Sequence, residues 1–222
     1  MADVSDRSHR QVLIATTNAG KLQELAAILP PTVDLRTLRD FNLTSPPETG
    51  RTFLDNAVLK ADYASRMTGI PALADDSGLE VDALDGRPGV QSARYSGPDA
   101  TDEENNRKLI ADLQSNEGES RIARFVCAVA LSTPGAPALT AHGYLRGAIV
   151  DEPRGSGGFG YDPHFQLDDP CAMDLNGRTL AELSINQKNR LSHRRRAYDR
   201  LLNKIRRLDR RSPAHSLLLA ID

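Results

Sequence analysis

Cysteine is scarce in this chain. There are two, Cys127 and Cys171, too few for a disulfide framework or for a zinc site of their own. Long apolar runs are missing as well: the stretch "LLLA" near the C-terminus is far too short to span a bilayer. The N-terminal "MADVSDRSHRQ" lacks the apolar segment of a signal peptide. Neither sign of charge dominates, since the formal net charge is -2, and this argues against a global bias toward nucleic acid or membrane. No internal repeat, linker or low-complexity segment is visible. The expectation is a cytoplasmic protein with no membrane partner and no stable nucleic-acid partner.

What is present is unevenly distributed. Of 28 Lys and Arg residues, eleven fall between Lys188 and Arg211, which leaves the remainder acidic. The 222 residues suffice for one sizeable core, or for two lobes sharing a sheet. "QVLIA" at Gln11–Ala15 reads as a buried strand. Leu22, Leu25, Ala26 and Leu29 then recur on one helical face, and Pro30-Pro31 ends it. "VDLRTL" reads as a second strand. Thr52 with Asp55 caps a helix that turns Phe53, Ala57, Ala61 and Ala64 inward, and Gly69-Ile70-Pro71 closes it. "PALA" is a short strand that runs into "DDSG", and "LEVDAL" alternates apolar and acidic residues.

Further along, Thr101 and Glu104 form a capping box opening a helix through Leu113. "RFVCAVALS" is the clearest strand, with "LTAHGYLRGAIV" as its partner. Ser184 and Gln187 box a short helix, and Ser192 caps a last one with Ala197, Leu201, Leu202, Ile205 and Leu208 inward. Early alternation of strands and helices with a later strand pair predicts an α/β fold on a mixed sheet. Ligands on such sheets gather at loops that follow strand ends.

Several loops carry candidate chemistry. "LIATTNAGKLQEL" has the strand–turn–helix outline of a phosphate site. It is not a P-loop, because Ala15 stands at the first glycine and Leu22 where a magnesium-binding hydroxyl belongs. Side chains of Thr16, Thr17 and Asn18, the helix N-terminus and Lys21 still suit phosphate. A capped helix with a solvated lysine would read the same way. In "ADDSG", Asp75 and Asp76 are adjacent, so on an extended chain they point to opposite sides. One of them could hold a hard cation or act as a base; alternatively the segment is an Asp-Ser-Gly turn.

Glu48 in "PPETG" is a surface acid unless the fold pairs it with Asp76. In "GSGGFGYDPHF", Gly155, Gly157, Gly158 and Gly160 surround Phe159, leaving a ring face open for a nucleobase with backbone close by; a flexible loop with one anchoring Phe is the alternative. "KNRLSHRRR" gathers Lys188, His193, Arg194, Arg195 and Arg196, for phosphate or base contact or simply as a solvated helix face.

Taken together, "ATTNAGK", "PETGRTFLDNAVLKA", "ADDSGLEVDALDGRPGVQSARYSG", "GGFGYDPHF", "LAELS" and "KNRLSHRRRA" resemble, in order and spacing, the inosine/xanthosine triphosphate pyrophosphatases. The resemblance spans about Val12 to Leu208. It implies one nucleotide pyrophosphatase domain, 11–208, with terminal extensions 1–10 and 209–222. The implied fold is a long twisted mixed β-sheet with flanking helices, in two lobes around a nucleotide-binding cleft. The implied reaction takes non-standard purine nucleoside triphosphates (ITP, dITP, XTP) to the monophosphate and pyrophosphate, with Mg²⁺, in a homodimer. By the same resemblance Thr16, Thr17, Asn18, Ala19, Gly20 and Lys21 cradle the triphosphate. Glu48 and Asp76 bind Mg²⁺, and Asp76 is the general base. Asn56 and Lys60 line the phosphate end, and Ser77 touches substrate. Phe159, Gly160, Tyr161 and Asp162 hold the base, and Lys188, His193 and Arg194 close over base and phosphates.

The chain departs from the family pattern at Thr17, at Asn186-Gln187, in the irregular Asp168–Arg178 segment and in the residues after Leu208. Two other functions remain in competition. One is a pyrophosphatase for modified pyrimidine nucleotides on a similar fold. The other is a nucleic-acid-binding module built on the basic C-terminal helix, against which the inward leucines argue.

Overall fold

The computed structural model describes residues 11–29, 33–116 and 120–208. Both terminal extensions and Pro30-Pro31 lie outside the described residues. The elements are β1 (Gln11–Ile14), α1 (Ala19–Ile28), β2 (Asp34–Thr37), α2 (Phe53–Thr68), β3 (Ala72–Val81), α3 (Asp102–Gln114), β4 (Ile122–Ser132), β5 (Leu139–Ile149), β6 (Phe165–Leu167), α4 (Ile185–Leu191) and α5 (His193–Arg206). The strands form a six-stranded sheet in the order β2-β1-β3-β4-β5-β6. β1 runs parallel to β2 and β3, whereas β5 and β6 are antiparallel. The sheet is therefore mixed, and the fold is α/β.

Local sequence explains most boundaries. Thr52–Asp55, Thr101–Glu104 and Ser184–Gln187 each form the expected reciprocal capping box, a feature worth about 1 kcal/mol apiece. Gly69 ends α2 in the left-handed region, φ 72°, where a side chain would be strained. Ser192 Oγ accepts the Arg195 N–H at the start of α5. Two expectations need correction. On α1, Ala26 is exposed while Glu24 is buried, so the inward face is carried by Leu25 and Leu29 with Leu22 half-buried. On the last helix Ala197, Leu201 and Ile205 are buried, but Leu202 and Leu208 only partly so; Tyr198, also buried, fills that face instead.

The larger correction concerns "ADDSGLEV". No turn interrupts it: β3 runs unbroken from Ala72 to Val81. Gly78 is needed there for closeness rather than for a bend. A Cβ at that position would lie 2.3 Å from Ser92 Oγ and 2.7 Å from the Gly89 carbonyl oxygen. Ser92 Oγ accepts the Leu79 N–H at 2.9 Å and donates to the Gly89 oxygen at 2.6 Å.

The described residues divide into two compact units. One comprises 11–76, 128–142 and 197–208; the other comprises 77–127 and 143–196. The first unit buries Val12, Leu13 and Ile14 of β1 and an apolar face of α2 made of Phe53, Ala57, Ala61 and Ala64. The second has its own core of Leu79, Val81, Leu109, Leu113, Phe125, Leu145, Phe165 and neighbours. The division falls within β3 between Asp76 and Ser77.

Candidate active site

In the first unit the chemistry collects around Asp75 and Asp76, in the middle of β3. Strand geometry sends Asp75 and Asp76 to opposite sides, and their partners differ accordingly. Lys21, from the first turn of α1, places Nζ 3.1 Å from Asp75 Oδ2, and the Asp75 side chain is fully buried. Asp76 instead meets α2. Asn56 Nδ2 donates to Asp76 Oδ2 at 2.9 Å, and Lys60 Nζ lies 3.5 Å from Asp76 Oδ1. Asn56 and Lys60 are one helical turn apart, so α2 presents both to the same carboxylate.

Glu48 joins this group through the stiff "PPETG" loop. Lys60 Nζ is 2.7 Å from Glu48 Oε1, so one ammonium bridges both carboxylates. The loop is pinned by Asn56, whose Oδ1 accepts the Gly50 N–H at 2.7 Å. A Cβ at Gly50 would sit 2.6 Å from that oxygen. Asn56 has 0% exposure and is engaged at both ends of its amide. Its amide thus ties the Gly50 loop to the Asp76 carboxylate, at the end of α2 where the sequence places Asn56 and Lys60 together.

The electrostatics follow from burial and proximity. Burial raises the Asp76 pKa; Lys60 and Lys21 pull it down, Glu48 adds to the rise, and the net direction is upward. Burial opposes charge on Lys60, but Asp76, Asp75 and Glu48 outweigh it and raise the Lys60 pKa. Among the described residues no group of three or more His, Cys, Asp or Glu side chains is arranged to hold a metal ion. The pair Glu48–Asp76 is a hard-oxygen donor set that suits Mg²⁺, provided that water and substrate phosphate complete the shell.

The turn before α1 is built as the sequence suggests. Asn18 is the N-cap, with Oδ1 accepting the Lys21 N–H at 3.0 Å. Thr16 Oγ1 accepts the Asn18 N–H at 3.2 Å. Thr16 is buried, whereas Thr17, Asn18 and Ala19 are exposed and Gly20 is half-buried.

The second unit gathers the remaining candidates. Asp162 Oδ2 accepts the Phe159 N–H at 2.9 Å and lies 2.5 Å from Lys188 Nζ. That ammonium also sits over the Phe159 ring, 4.3 Å from its centroid. Phe159 remains 38% exposed. Gly158 and Gly160 both have positive φ, 76° and 63°, and a Cβ at Gly158 would collide with the Asp162 carboxylate. The glycines are thus required by the turn that presents Phe159. Tyr161 is different: its side chain belongs to the core, with Oη donating to the Ser92 carbonyl oxygen at 2.8 Å.

Nor is the basic run a solvated face. Lys188, His193 and Arg194 are all buried, Arg194 to 1% exposure. Arg194 donates to Ser77 Oγ at 3.0 Å, and His193 stacks on Phe125 with centroids 5.0 Å apart. Arg196 instead binds Asp169, at 2.7 and 3.1 Å.

Comparison with known proteins matches residues 12–204 to the Ham1 family model. The chain belongs to the Ham1 family. The dITP/XTP pyrophosphatase of Geobacter sulfurreducens is 51% identical over 84% of this chain and 92% of its own length. One from Thermus thermophilus is 49% identical over 86% of this chain and 90% of its own. Among solved structures, a HAM1 protein from Coxiella burnetii aligns with TM-score 0.78 at 39% identity, covering 89% of this chain and 99% of its own. The Mycobacterium abscessus nucleoside-triphosphatase / dITP/XTP pyrophosphatase aligns with TM-score 0.69 at 42% identity, covering 86% and 98%.

In this Ham1-family chain, sequence reasoning passes over two contributors. Asp75, the acid that faces away from Asp76, holds Lys21. The signal for it exists, because opposite-facing acids on a strand need separate partners. Ser92 gives none: its bond to β3 joins residues far apart in sequence.

Proposed function

We propose that this protein hydrolyses non-standard purine nucleoside triphosphates, ITP, dITP and XTP, to the monophosphate and pyrophosphate, as a Mg²⁺-dependent homodimer acting on a cytoplasmic nucleotide pool. One observation carries the chemistry: Glu48 and Asp76 converge on Lys60 while Asn56 fixes the Asp76 carboxylate. The substrate class rests on relatives about half identical over most of their length, which are dITP/XTP pyrophosphatases.

In this reading Thr16 to Lys21 bind phosphate oxygens through exposed turn residues and the N-terminus of α1. Lys21 and Lys60 neutralise phosphate charge, each already oriented by a carboxylate. Mg²⁺ held by Glu48 and Asp76 would supply further charge neutralisation on the triphosphate and on departing pyrophosphate. Water attacks the α-phosphorus, the bond to the bridging α–β oxygen breaks, and Asp76 takes the proton from the water.

In the second unit, Phe159 stacks on the base with the ring surface that Lys188 leaves exposed. Lys188 and Arg194 donate toward a 6-keto oxygen, and Ser77 contacts substrate beside its Arg194 partner. Adenine presents an amino group at that edge, so these donors gain no acceptor from it, at a cost of about 1–3 kcal/mol.

The test is ITP hydrolysis with Mg²⁺, comparing wild type with Asp76→Asn. Pyrophosphate is the expected product, and kcat should fall by about 10²–10⁴-fold in the variant. Orthophosphate as the direct product would refute the reaction assigned, and a fully active variant would remove Asp76 from its role. Sedimentation of the purified protein checks the dimer; a monomer active at the same specific rate would refute it.

A further inference from the structure

We infer that Asp102 and Asn106, on the first turns of α3, are positioning residues for base recognition, because they clamp the glycine turn that carries Phe159. The inference rests on the reading that Phe159 stacks on the base. Gly160 is held at both of its backbone polar groups. Its N–H donates to Asp102 Oδ2 at 2.6 Å, and its carbonyl oxygen accepts Asn106 Nδ2 at 2.9 Å. Asp102 and Asn106 are one helical turn apart, so a single rigid face of α3 grips one residue next to the aromatic ring.

Two features make this grip consequential. The turn is built on glycines with positive φ at Gly158 and Gly160, and glycine loses the most backbone freedom on being ordered. On one side the turn packs against Asp162, which accepts the Phe159 N–H, and Lys188 covers one ring face. A groove of about 640 Å³ opens here, lined by Asp102, Asn106 and Ile110 from α3 and by Gly158, Phe159 and Gly160 from the turn. On the groove side, where there is open space instead of packing, the hydrogen bonds from α3 hold the turn.

Asn106 carries a further mark. It is 9% exposed, and its Oδ1 accepts no hydrogen bond from the described residues. A buried orphan acceptor costs stability. A leucine of similar size would avoid that cost, but it would lose the Nδ2 donation to Gly160. The amide is thus explained by what it does for the turn rather than by the stability of α3.

The test uses Asp102→Ala, Asn106→Leu and the double variant, assayed on ITP with Mg²⁺ and by thermal unfolding. The double variant should raise KM about tenfold with kcat within about twofold. Asn106→Leu should unfold at the wild-type temperature or above. Inhibition by inorganic tripolyphosphate, which has no base, should be unchanged. Asp102→Asn keeps an acceptor and should restore most of the loss. Placed in a Phe159→Ala background, the double variant should add less than about twofold, since the clamp acts through the ring.

If Phe159→Ala raises KM and the clamp variants do not, the clamp is refuted and stacking stands. A tripolyphosphate constant that weakens in step with KM also refutes the clamp, by showing a general structural effect. An unchanged KM in Phe159→Ala itself overturns both stacking and clamp.

Discussion

At the scale of single residues, the site economises on partners. Lys60 serves two carboxylates, and Asn56 serves a backbone N–H and a carboxylate. Such sharing makes each residue hard to replace. Asn56→Ala should break both of its bonds, leaving the Gly50 N–H and one Asp76 oxygen without their partner. The expected cost is about 1–3 kcal/mol in unfolding free energy, with kcat lowered more than KM is raised, because Asp76 loses its orientation. Denaturant unfolding and steady-state kinetics check this. A variant of normal stability and normal kcat would show that the Asp76 carboxylate is oriented without Asn56.

At the scale of elements, β3 is the organising piece. Ten unbroken residues carry Asp75, Asp76 and Ser77 and then enter the core of the second unit. Gly78 permits Ser92 to approach this strand closely. Gly78→Ala should therefore destabilise the protein by about 1–3 kcal/mol, the usual cost of overpacking, measured by unfolding midpoint. A Gly78→Ala protein as stable as wild type would mean that the Ser92 segment yields without cost.

The irregular Asp168–Arg178 segment has its own anchor. Asp169 accepts from Arg196, the Arg146 N–H and the Cys171 N–H. Burial raises its pKa, but these donors outweigh burial and hold it below the ordinary 3.8. A lowered folded-state pKa gives stability that is complete above the unfolded value, about 3.9, and is lost as pH falls through the folded value. Asp169→Asn should thus cost about 1–3 kcal/mol near neutrality, as the buried Asp169 loses its charge-assisted hydrogen bonds to half-buried Arg196. The difference from wild type should stay constant down to about pH 4 and narrow below it. A gap that instead narrows above about pH 5 would assign the acid sensitivity to another group.

At the scale of the whole molecule, charge and burial separate the competing functions. The basic run that might have bound nucleic acid is largely committed: Lys188, His193 and Arg194 are buried, and Arg196 is paired with Asp169. No helix among the described residues is long and apolar enough to cross a membrane. A substrate panel follows directly. ITP, dITP and XTP should be cleaved at least about tenfold more efficiently than ATP, the size expected from losing one charge-assisted hydrogen bond to the base. Faster cleavage of dUTP or dTTP than of ITP would move the protein to the pyrimidine class. Binding to oligonucleotides should be weak at about 0.15 M salt, an ionic strength that screens exposed charge beyond about 8 Å.

Much of this was legible in the sequence. Capping boxes at Thr52, Thr101 and Ser184 are local, so four-residue patterns were enough to find them. The inward alanines of α2 follow from helical periodicity, and the opposite facing of Asp75 and Asp76 from strand periodicity. Six motifs in order were enough to point to the family. The remainder depended on contacts between segments distant in sequence. Local propensity reads "DDSG" as a turn, but pairing within the sheet and the approach of Ser92 keep it extended. Asn56 reads as a polar helix residue until the Gly50 loop and Asp76 close on it from two sides. Tyr161 sits in a glycine-rich loop, yet its ring joins the core that includes Phe165 and Leu167 of β6, and the Ser92 carbonyl oxygen accepts its hydroxyl hydrogen. Residue types and short-range order thus set which chemistry was possible. Only the tertiary structure decided which groups touch and which merely hold others in place, since burial and hydrogen-bond partnership are properties of the packed chain.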